Sequence, residues 1–166
     1  MTLARVIDEN VLVKSLQHVA GDTIDEGLCC WQIIDSAAHG PCLWVLTARI
    51  LELYSNKLHR WGWRRSTASM QLSIVCRNAW YASNIVRLID PEPATHAGSY
   101  KDDDAPIVGA ACVAAEVADA DRSELVTTDQ PLAAALVSDG IPERCGFRIS
   151  EPCAAAARRE CGEGLL

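Results

Sequence analysis

The sequence has no long hydrophobic run. Its longest apolar stretches, 41–46 and 107–115, are far shorter than the roughly 20 residues that cross a bilayer. The opening residues, MTLARVIDENVLV, also lack the basic start and uninterrupted apolar core of a secretory signal, because Asp8 and Glu9 interrupt them at once. We therefore expect a protein without a membrane span that stays in the cytoplasm.

Short cysteine spacings are absent as well. The chain has 8 cysteines and no CxxC pair, although metal ribbons and thioredoxin-like sites require such short spacings. A disulfide framework is typical of smaller, secreted chains. We therefore expect reduced, mostly buried cysteines and no thiol enzyme. The cysteines are residues 29, 30, 42, 76, 112, 145, 153 and 161.

Phosphate-binding loops and a surplus of positive charge are also missing. Neither GxxxxGK nor GxGxxG occurs, which disfavours hydrolysis of nucleoside triphosphates and dinucleotide binding. The four histidines have no metal-ligand spacing, and only His96 lies near an acidic motif. With 15 Lys and Arg against 22 Asp and Glu, the net charge of -7 argues against a nucleic-acid coat protein. It does not exclude an enzyme that concentrates carboxylates in one metal site.

The remaining pattern is typical of one α/β domain. The length of 166 residues suits a single domain, and short β-like runs alternate with longer helical ones. Such alternation predicts a mainly parallel sheet. Strands are predicted at 3–7, 42–45, 84–89, 125–127 and 146–149, and helices at 25–38, from 47 onward, 66–82, 104–118 and 131–138, with a loop over 91–103.

Four acidic residues share one position in this pattern. Asp8, Glu52, Asp104 and Asp129 each lie at the end of a predicted strand or in the helix that follows it. Ligand sites in open parallel sheets form outside the carboxyl ends of the strands, so these acids can converge there. Converging carboxylates need a cation, and hard oxygen ligands suit Mg²⁺ or Mn²⁺ rather than zinc.

Each acid also has a structural explanation. Asp8 can open a turn together with Asn10. One aspartate of 102–104 can cap the following helix, and Asp129 can cap the next one. Glu52 lies on the polar side of its helix, where exposed glutamates are ordinary. These alternatives stay open at the level of the sequence.

Four segments resemble, in order, the acidic motifs of the PIN domain. They are LARVIDENVLV (3–13), ARILELYSNKL (48–58), DAPIVGAA (104–111) and LVTTDQPL (125–132). The resemblance implies a three-layer α/β/α sandwich with a mainly parallel central sheet. It covers a PIN-like domain over residues 1–150, followed by an Ala-rich C-terminal tail over residues 151–166.

The resemblance also implies chemistry. PIN domains are typically metal-dependent ribonucleases, and many are toxins of toxin–antitoxin pairs. The resemblance implies that four catalytic acids hold one or two Mg²⁺ or Mn²⁺ ions: Asp8, Glu52, Asp104 and Asp129. Asn10 and Thr127 would be supporting groups, and Asp103 would replace Asp104 if the register of the motif shifts. The partners implied are RNA and an antitoxin protein. The alternatives are a PIN-like scaffold that binds RNA or protein without catalysis, and a phosphatase, which the sequence Asp8-Glu9-Asn10 disfavours because it lacks Asp-x-Asp.

Two surfaces follow from the remaining residues. Cations and tryptophans after the Glu52 helix are suited to contact phosphates and stack on unpaired bases, so we expect single-stranded RNA to bind Arg60, Trp61, Arg64 and Arg65. The alternatives are a solvated cationic helix end, or an RNA path past Lys14 and Arg49. A homodimer is expected because one domain rarely buries five tryptophans, although a local satellite core would also accommodate them. The tryptophans are residues 31, 44, 61, 63 and 80.

Overall fold

The computed structural model describes residues 2–39, 42–60, 86–89 and 98–158. These residues form strands and helices that alternate along the chain, which confirms the predicted α/β class. The strands are β1 (Leu3–Ile7), β2 (Cys42–Thr47), β3 (Val86–Ile89), β4 (Arg122–Val126) and β5 (Phe147–Ser150). The helices are α1 (Glu9–Val19), α2 (Gly27–His39), α3 (Ala48–Arg60), α4 (Ala105–Val117), α5 (Gln130–Ser138), α6 (Ile141–Cys145) and α7 (Pro152–Ala157), with a 3-10 turn at Asp102–Asp104.

The strands form one parallel sheet in the order β3-β2-β1-β4-β5. The chain therefore builds outward from β1 to β3 and then returns to the other side of β1 with β4. This change of direction places a topological switch point between β1 and β4. In open parallel sheets, ligands bind outside the carboxyl ends of the strands at such a point.

Helices cover both faces of the sheet. Every residue of β1 is buried, as expected for a parallel sheet packed on both sides. On one face the Arg5 guanidinium reaches the Ser36 hydroxyl of α2 at 2.9 Å, and α7 packs beside α2. α4 contacts all five described strands on the other face. Its small residues Ala110, Ala111 and Ala114 are fully buried, which lets the helix lie close to the sheet.

α3 is anchored to the end of β1. The Thr47 hydroxyl accepts a hydrogen bond from the Ile50 amide at 3.0 Å and so caps the start of the helix. Tyr54 and Leu58 follow at helical spacing and are buried with Ile50. The Tyr54 hydroxyl donates to the carbonyl oxygen of Ile7. One face of α3 is therefore held against the last residue of β1.

The structure differs from the sequence-based prediction in helix α1, in the start of strand β4 and in the short helix α6, which the pattern does not predict. Helix α1 is absent from that prediction, where β-branched Val11 and Val13 obscure a helical face that the structure buries. Strand β4 begins at Arg122, although the pattern predicts a start at Leu125. That predicted start is wrong because Ser123 and Glu124 are polar yet almost completely buried.

The prediction of reduced cysteines is wrong for Cys29, Cys153 and Cys42, all of which are disulfide-bonded. Cys29 on α2 and Cys153 on α7 form a disulfide with a Cα–Cα distance of 4.9 Å. The two residues are 124 positions apart, so a rule based on short spacings has no means of pairing them. Ala155 of α7 packs into the hydrophobic core at 2% exposure, so this part of the Ala-rich tail joins the core of the domain.

Several predictions fall outside the described residues. They include the helix at 66–82, most of the loop at 91–103, and Trp61, Trp63 and Trp80. Of the two described tryptophans, Trp44 is completely buried and Trp31 is partly buried against the core. Within the described segments, no helix has both the length and the hydrophobicity needed to span a bilayer.

Candidate functional site

Asp8 lies directly after β1 and is fixed from three sides. Its amide donates to the carbonyl oxygen of Val126, the last residue of β4, at 2.9 Å. Its carboxylate accepts hydrogen bonds from the Thr127 hydroxyl at 2.6 Å and from the Asn10 side-chain amide at 3.3 Å. The residue is 1% exposed. The fold therefore holds this carboxylate at the switch point between β1 and β4.

Thr127 links the two strand ends. Its hydroxyl has one proton, which it donates to Asp8, and its oxygen accepts the Asp129 amide at 2.9 Å. Asp129 in turn caps α5, because its Oδ1 accepts the Leu132 amide at 2.9 Å. The capping alternative is therefore realised for Asp129, and it engages only one of the two carboxylate oxygens.

Asp104 faces the same site from the start of α4. Its side chain makes no capping hydrogen bond, so helix capping does not account for it. Burial raises the pKa of Asp104, and the negative charges of Asp8 and Asp129 raise it further. Asp103 is exposed, and its charge raises the pKa of Asp104 less than the charges of Asp8 and Asp129 do. Of the three consecutive aspartates, Asp104 is therefore the one with the closest electrostatic link to Asp8 and Asp129.

Glu9 is an additional acid that the sequence-based prediction does not include. Burial, a hydrogen bond to Asp8 and the charge of Asp8 raise the pKa of Glu9 to about 9. Its Oε2 is buried and accepts no hydrogen bond within the described part of the chain, while its Oε1 lies 3.8 Å from the Lys57 ammonium. An ordinary glutamate beside Asp8 gives no signal by itself, because its burial depends on the unpredicted helix α1.

Glu52 is not brought to this site. Its side chain is 55% exposed and forms an ion pair with Arg49 one turn earlier on α3. Tyr54 and Lys57, which contact Ile7 and Glu9, lie on the opposite side of the helix by helical spacing. The structure therefore gathers Asp8, Glu9, Asp104 and Asp129, which we call the acidic cluster, and leaves Glu52 outside it.

The expected RNA-binding residues are described only in part. Arg60 is exposed at the end of α3, whereas Trp61, Arg64 and Arg65 lie outside the described residues. On the alternative path, Lys14 pairs with Glu26 at 3.0 Å and Arg49 pairs with Glu52. The cations with a direct link to the acidic cluster are instead Lys57, beside Glu9, and Lys101, whose charge opposes the rise in the pKa of Asp104.

The donor chemistry of the acidic cluster fits a hard cation. It offers carboxylate oxygens, and the neighbouring hydroxyl and amide of Thr127 and Asn10 are engaged in orienting Asp8. Within the described residues, no set of three His, Cys, Asp or Glu side chains is close enough to hold one ion. Magnesium commonly binds through one or two carboxylates and keeps several waters, so it does not require such a set. No protein-family model, curated protein or solved structure matches this chain.

Proposed function

We propose that the protein is a metal-dependent ribonuclease that hydrolyses phosphodiester bonds of unstructured RNA at the acidic cluster. One observation carries the proposal: Thr127 hydrogen-bonds both the Asp8 carboxylate and the Asp129 amide at the switch point of the sheet, and the charges of these two acids raise the pKa of Asp104, which comes from a third part of the chain. Gathering carboxylates costs free energy through mutual repulsion. A divalent cation would offset that repulsion, and the site therefore has a physical reason to bind one.

In this proposal one or two of the carboxylates of Asp8, Asp104 and Asp129 would bind Mg²⁺ or Mn²⁺ directly, and the remaining carboxylate would act through a metal-bound water. When bound, the ion polarises the phosphodiester and lowers the pKa of a bound water. Thr127 and Asn10 keep the Asp8 carboxylate in one orientation. Lys57, beside Glu9, and Lys101, whose charge acts on Asp104, would offset the charge of substrate phosphates. This arrangement uses three of the four acids that the PIN resemblance implies and leaves out Glu52. Together with a three-layer α/β/α architecture, it is the PIN-like arrangement that we propose.

Unstructured RNA is the substrate that fits this geometry. Asp8 is 1% exposed, so a rigid duplex would have difficulty bringing a phosphodiester to it, whereas a single strand can bend into the site. The exposed Arg60 at the end of α3 would extend the phosphate path. The same PIN-like motifs support a toxin role in the cytoplasm, restrained by an antitoxin protein. Co-purification of the chain with the product of a neighbouring small gene would test that role.

The decisive experiment measures cleavage of an unstructured RNA with Mg²⁺ or Mn²⁺, and with EDTA. We expect EDTA to stop cleavage. Asp8→Asn, Asp104→Asn and Asp129→Asn should each lower the rate by about 100-fold, which corresponds to a loss of about 3 kcal/mol of transition-state stabilisation.

The chain offers two matched controls. Asp103→Asn changes the neighbour of Asp104, and Glu52→Gln changes the acid that the structure leaves outside the acidic cluster. Both variants should cleave at close to the wild-type rate. A folded Asp104→Asn protein with full activity would contradict the proposed site, and inactivity of Glu52→Gln would restore Glu52 to it.

A second candidate function is a PIN-like scaffold that binds RNA or protein without catalysis. It is favoured by the absence, within the described residues, of three acidic, histidine or cysteine side chains around one point. The same assay separates the two functions. RNA binding that survives EDTA, with no cleavage at any Mg²⁺ or Mn²⁺ concentration, would favour the scaffold.

A further inference from the structure

An open pocket lies beside the disulfide, away from the acidic cluster. It has a volume of about 480 Å³ and includes both Cys29 and Cys153 in its wall. His18, Asp22 and Glu26 contribute the titratable side chains of the same wall. The pocket therefore gives a small molecule in solution direct access to a protein disulfide.

The two cysteines of the disulfide differ in exposure. Cys153 is exposed on the short helix α7, whereas Cys29 is half-buried on α2. Thiol–disulfide exchange depends on which sulfur an incoming thiolate can reach. Because Cys153 is the more exposed residue, we take its sulfur as the one that a thiolate attacks, and the electron pair of the broken bond then leaves with Cys29.

Cys29 is suited to leave as a thiolate. It is the third residue of α2, a helix of 13 residues, so its sulfur lies in the first turn, where the helix dipole favours a negative charge. Gly27 allows the end of α1 to approach this turn, because a Cβ at Gly27 would lie 3.0 Å from the Cβ of His18. The His18 imidazole therefore lies beside the same turn. A leaving group stabilised in this way departs faster.

The neighbouring thiol does not compete. Cys30 is buried, and burial raises its pKa to about 11. It is therefore a neutral thiol at physiological pH and a poor nucleophile toward the adjacent disulfide. Exchange at this site then depends on a thiol from solution.

We propose that the Cys29–Cys153 disulfide is a thiol–disulfide exchange site for small thiols that carry no net negative charge. A thiolate attacks Sγ of Cys153, and a new mixed disulfide forms as the Cys29–Cys153 bond breaks. Cys29 leaves with the electron pair and takes a proton from solvent. A second thiol then attacks the mixed disulfide, releases Cys153 as a thiol, and leaves the small thiol oxidised.

The charge of the pocket determines which thiols react. Asp22 and Glu26 line it, and the Lys14 ammonium is engaged with Glu26 at 3.0 Å. His18 is the remaining titratable group of the wall. Cysteamine, whose ammonium balances its thiolate, should therefore react faster than the anionic thiolate of glutathione, since like charges repel.

The experiment uses the folded, oxidised full chain with cysteamine or glutathione, followed by acid quenching, alkylation and peptide mass mapping. We expect cysteamine on Cys153 and the alkylating agent on Cys29. Each thiol's rate with the protein is divided by its rate with a small reference disulfide. The normalised rate of cysteamine should be several-fold higher than that of glutathione. Asp22→Asn should lower the ratio of the cysteamine rate to the glutathione rate. Asp119→Asn, which removes an exposed carboxylate outside the pocket wall, should leave that ratio unchanged.

Three results would overturn the proposal. One is a mixed disulfide found mainly on Cys29. Another is reaction only after the chain is unfolded in urea, which would show that the pocket gives no access. The third is an equal normalised rate for both thiols in the wild-type protein.

Discussion

A single hydroxyl group organises the acidic cluster. Thr127 donates to Asp8 and accepts from the amide of Asp129, so it connects the acid after β1 with the acid that begins α5. The residue is buried, and a lost hydrogen bond there is not replaced by water. Its importance therefore lies in the orientation of Asp8 rather than in any direct contact with substrate.

The first prediction concerns Thr127→Val, which keeps the shape of the side chain and removes the hydroxyl. We expect the free energy of unfolding to fall by about 1–3 kcal/mol, because the Asp8 carboxylate and the Asp129 amide each lose a partner. RNA cleavage should also weaken. Urea denaturation of this variant and of Thr128→Val, a half-buried threonine in the same loop, provides the measurement. Equal stability of the two variants would contradict the assigned role.

At the scale of elements, a buried ion-pair network joins strands β1, β4 and β5 to the end of α7. Glu124 of β4 is completely buried and accepts hydrogen bonds from Arg5 of β1 at 2.9 and 3.0 Å. Arg148 of β5 contacts the other carboxylate oxygen at 3.1 Å, and Arg158, just after α7, contacts it at 2.9 Å. The strand register places Arg5, Glu124 and Arg148 in one row across the sheet. The network therefore connects three neighbouring strands to a helix packed on their face.

The second prediction concerns Glu124→Gln. Removing one partner of a buried ion pair leaves the other charge uncompensated, which typically costs about 3–5 kcal/mol. We expect a loss of that size in the free energy of unfolding. Chemical denaturation of this variant and of Glu116→Gln, an exposed glutamate on α4, tests it. A change within about 0.5 kcal/mol for both variants would show that the network is energetically neutral.

The third prediction is the pH dependence of this network. Burial alone would raise the pKa of Glu124, but Arg5, Ser150 and Arg148 together outweigh it and hold the pKa below the ordinary value of 4.5. A lowered pKa in the folded state contributes stability above the unfolded pKa, and that stability is lost as the pH falls through the folded pKa. The wild-type protein should therefore lose this contribution in acid below about pH 4.5. Denaturation curves at several pH values should show that the free energy of unfolding falls more steeply with decreasing pH for wild type than for Glu124→Gln. Equal slopes for the two proteins would contradict this prediction.

At the scale of the whole molecule, the disulfide closes most of the chain into one loop. Cys29 and Cys153 are 124 positions apart and tie α7 onto α2. A cross-link of this span restricts the unfolded chain strongly, and removal of a native disulfide typically costs about 2–5 kcal/mol. The bond therefore contributes to the stability of the entire domain rather than to one element.

The fourth prediction compares Cys29→Ser, Cys153→Ser and the double variant. Each single variant should lower the free energy of unfolding by about 2–5 kcal/mol, because each removes the same cross-link. The double variant should lose little more than either single variant, since the shared bond is already gone. Thermal and chemical denaturation provide the values. Additive losses would show that the side chains act separately.

The fifth prediction is self-association. The described tryptophans are buried or partly buried, but exposed apolar side chains, among them Val19 and Leu28, lie near the junction of α1 and α2. A homodimer stays our expectation, because exposed apolar groups gain free energy when they are covered. Sedimentation over a concentration series would test it. A single 18.0 kDa species at micromolar concentration would contradict it.

Local sequence patterns predict the α/β class and most element positions. The first strand is predicted at 3–7 and found at Leu3–Ile7, and the predicted helix over 104–118 contains the observed Ala105–Val117. These predictions succeed because apolar spacing, turn residues and prolines act over a few neighbouring residues. Asp8 and Asp129 are also visible in the sequence, since each follows its own strand within a few residues.

The contacts between residues far apart in the chain depend on the tertiary fold. Arg5 and Glu124 are 119 positions apart, and no local pattern indicates that one buried charge will find the other. The same is true of the Cys29–Cys153 disulfide and of the separation of Glu52 from the acidic cluster. Each depends on how the strands are ordered and which side of a helix faces the sheet. Packing determines those relations, because the free energy of burial is a property of contacts between elements rather than of any one segment.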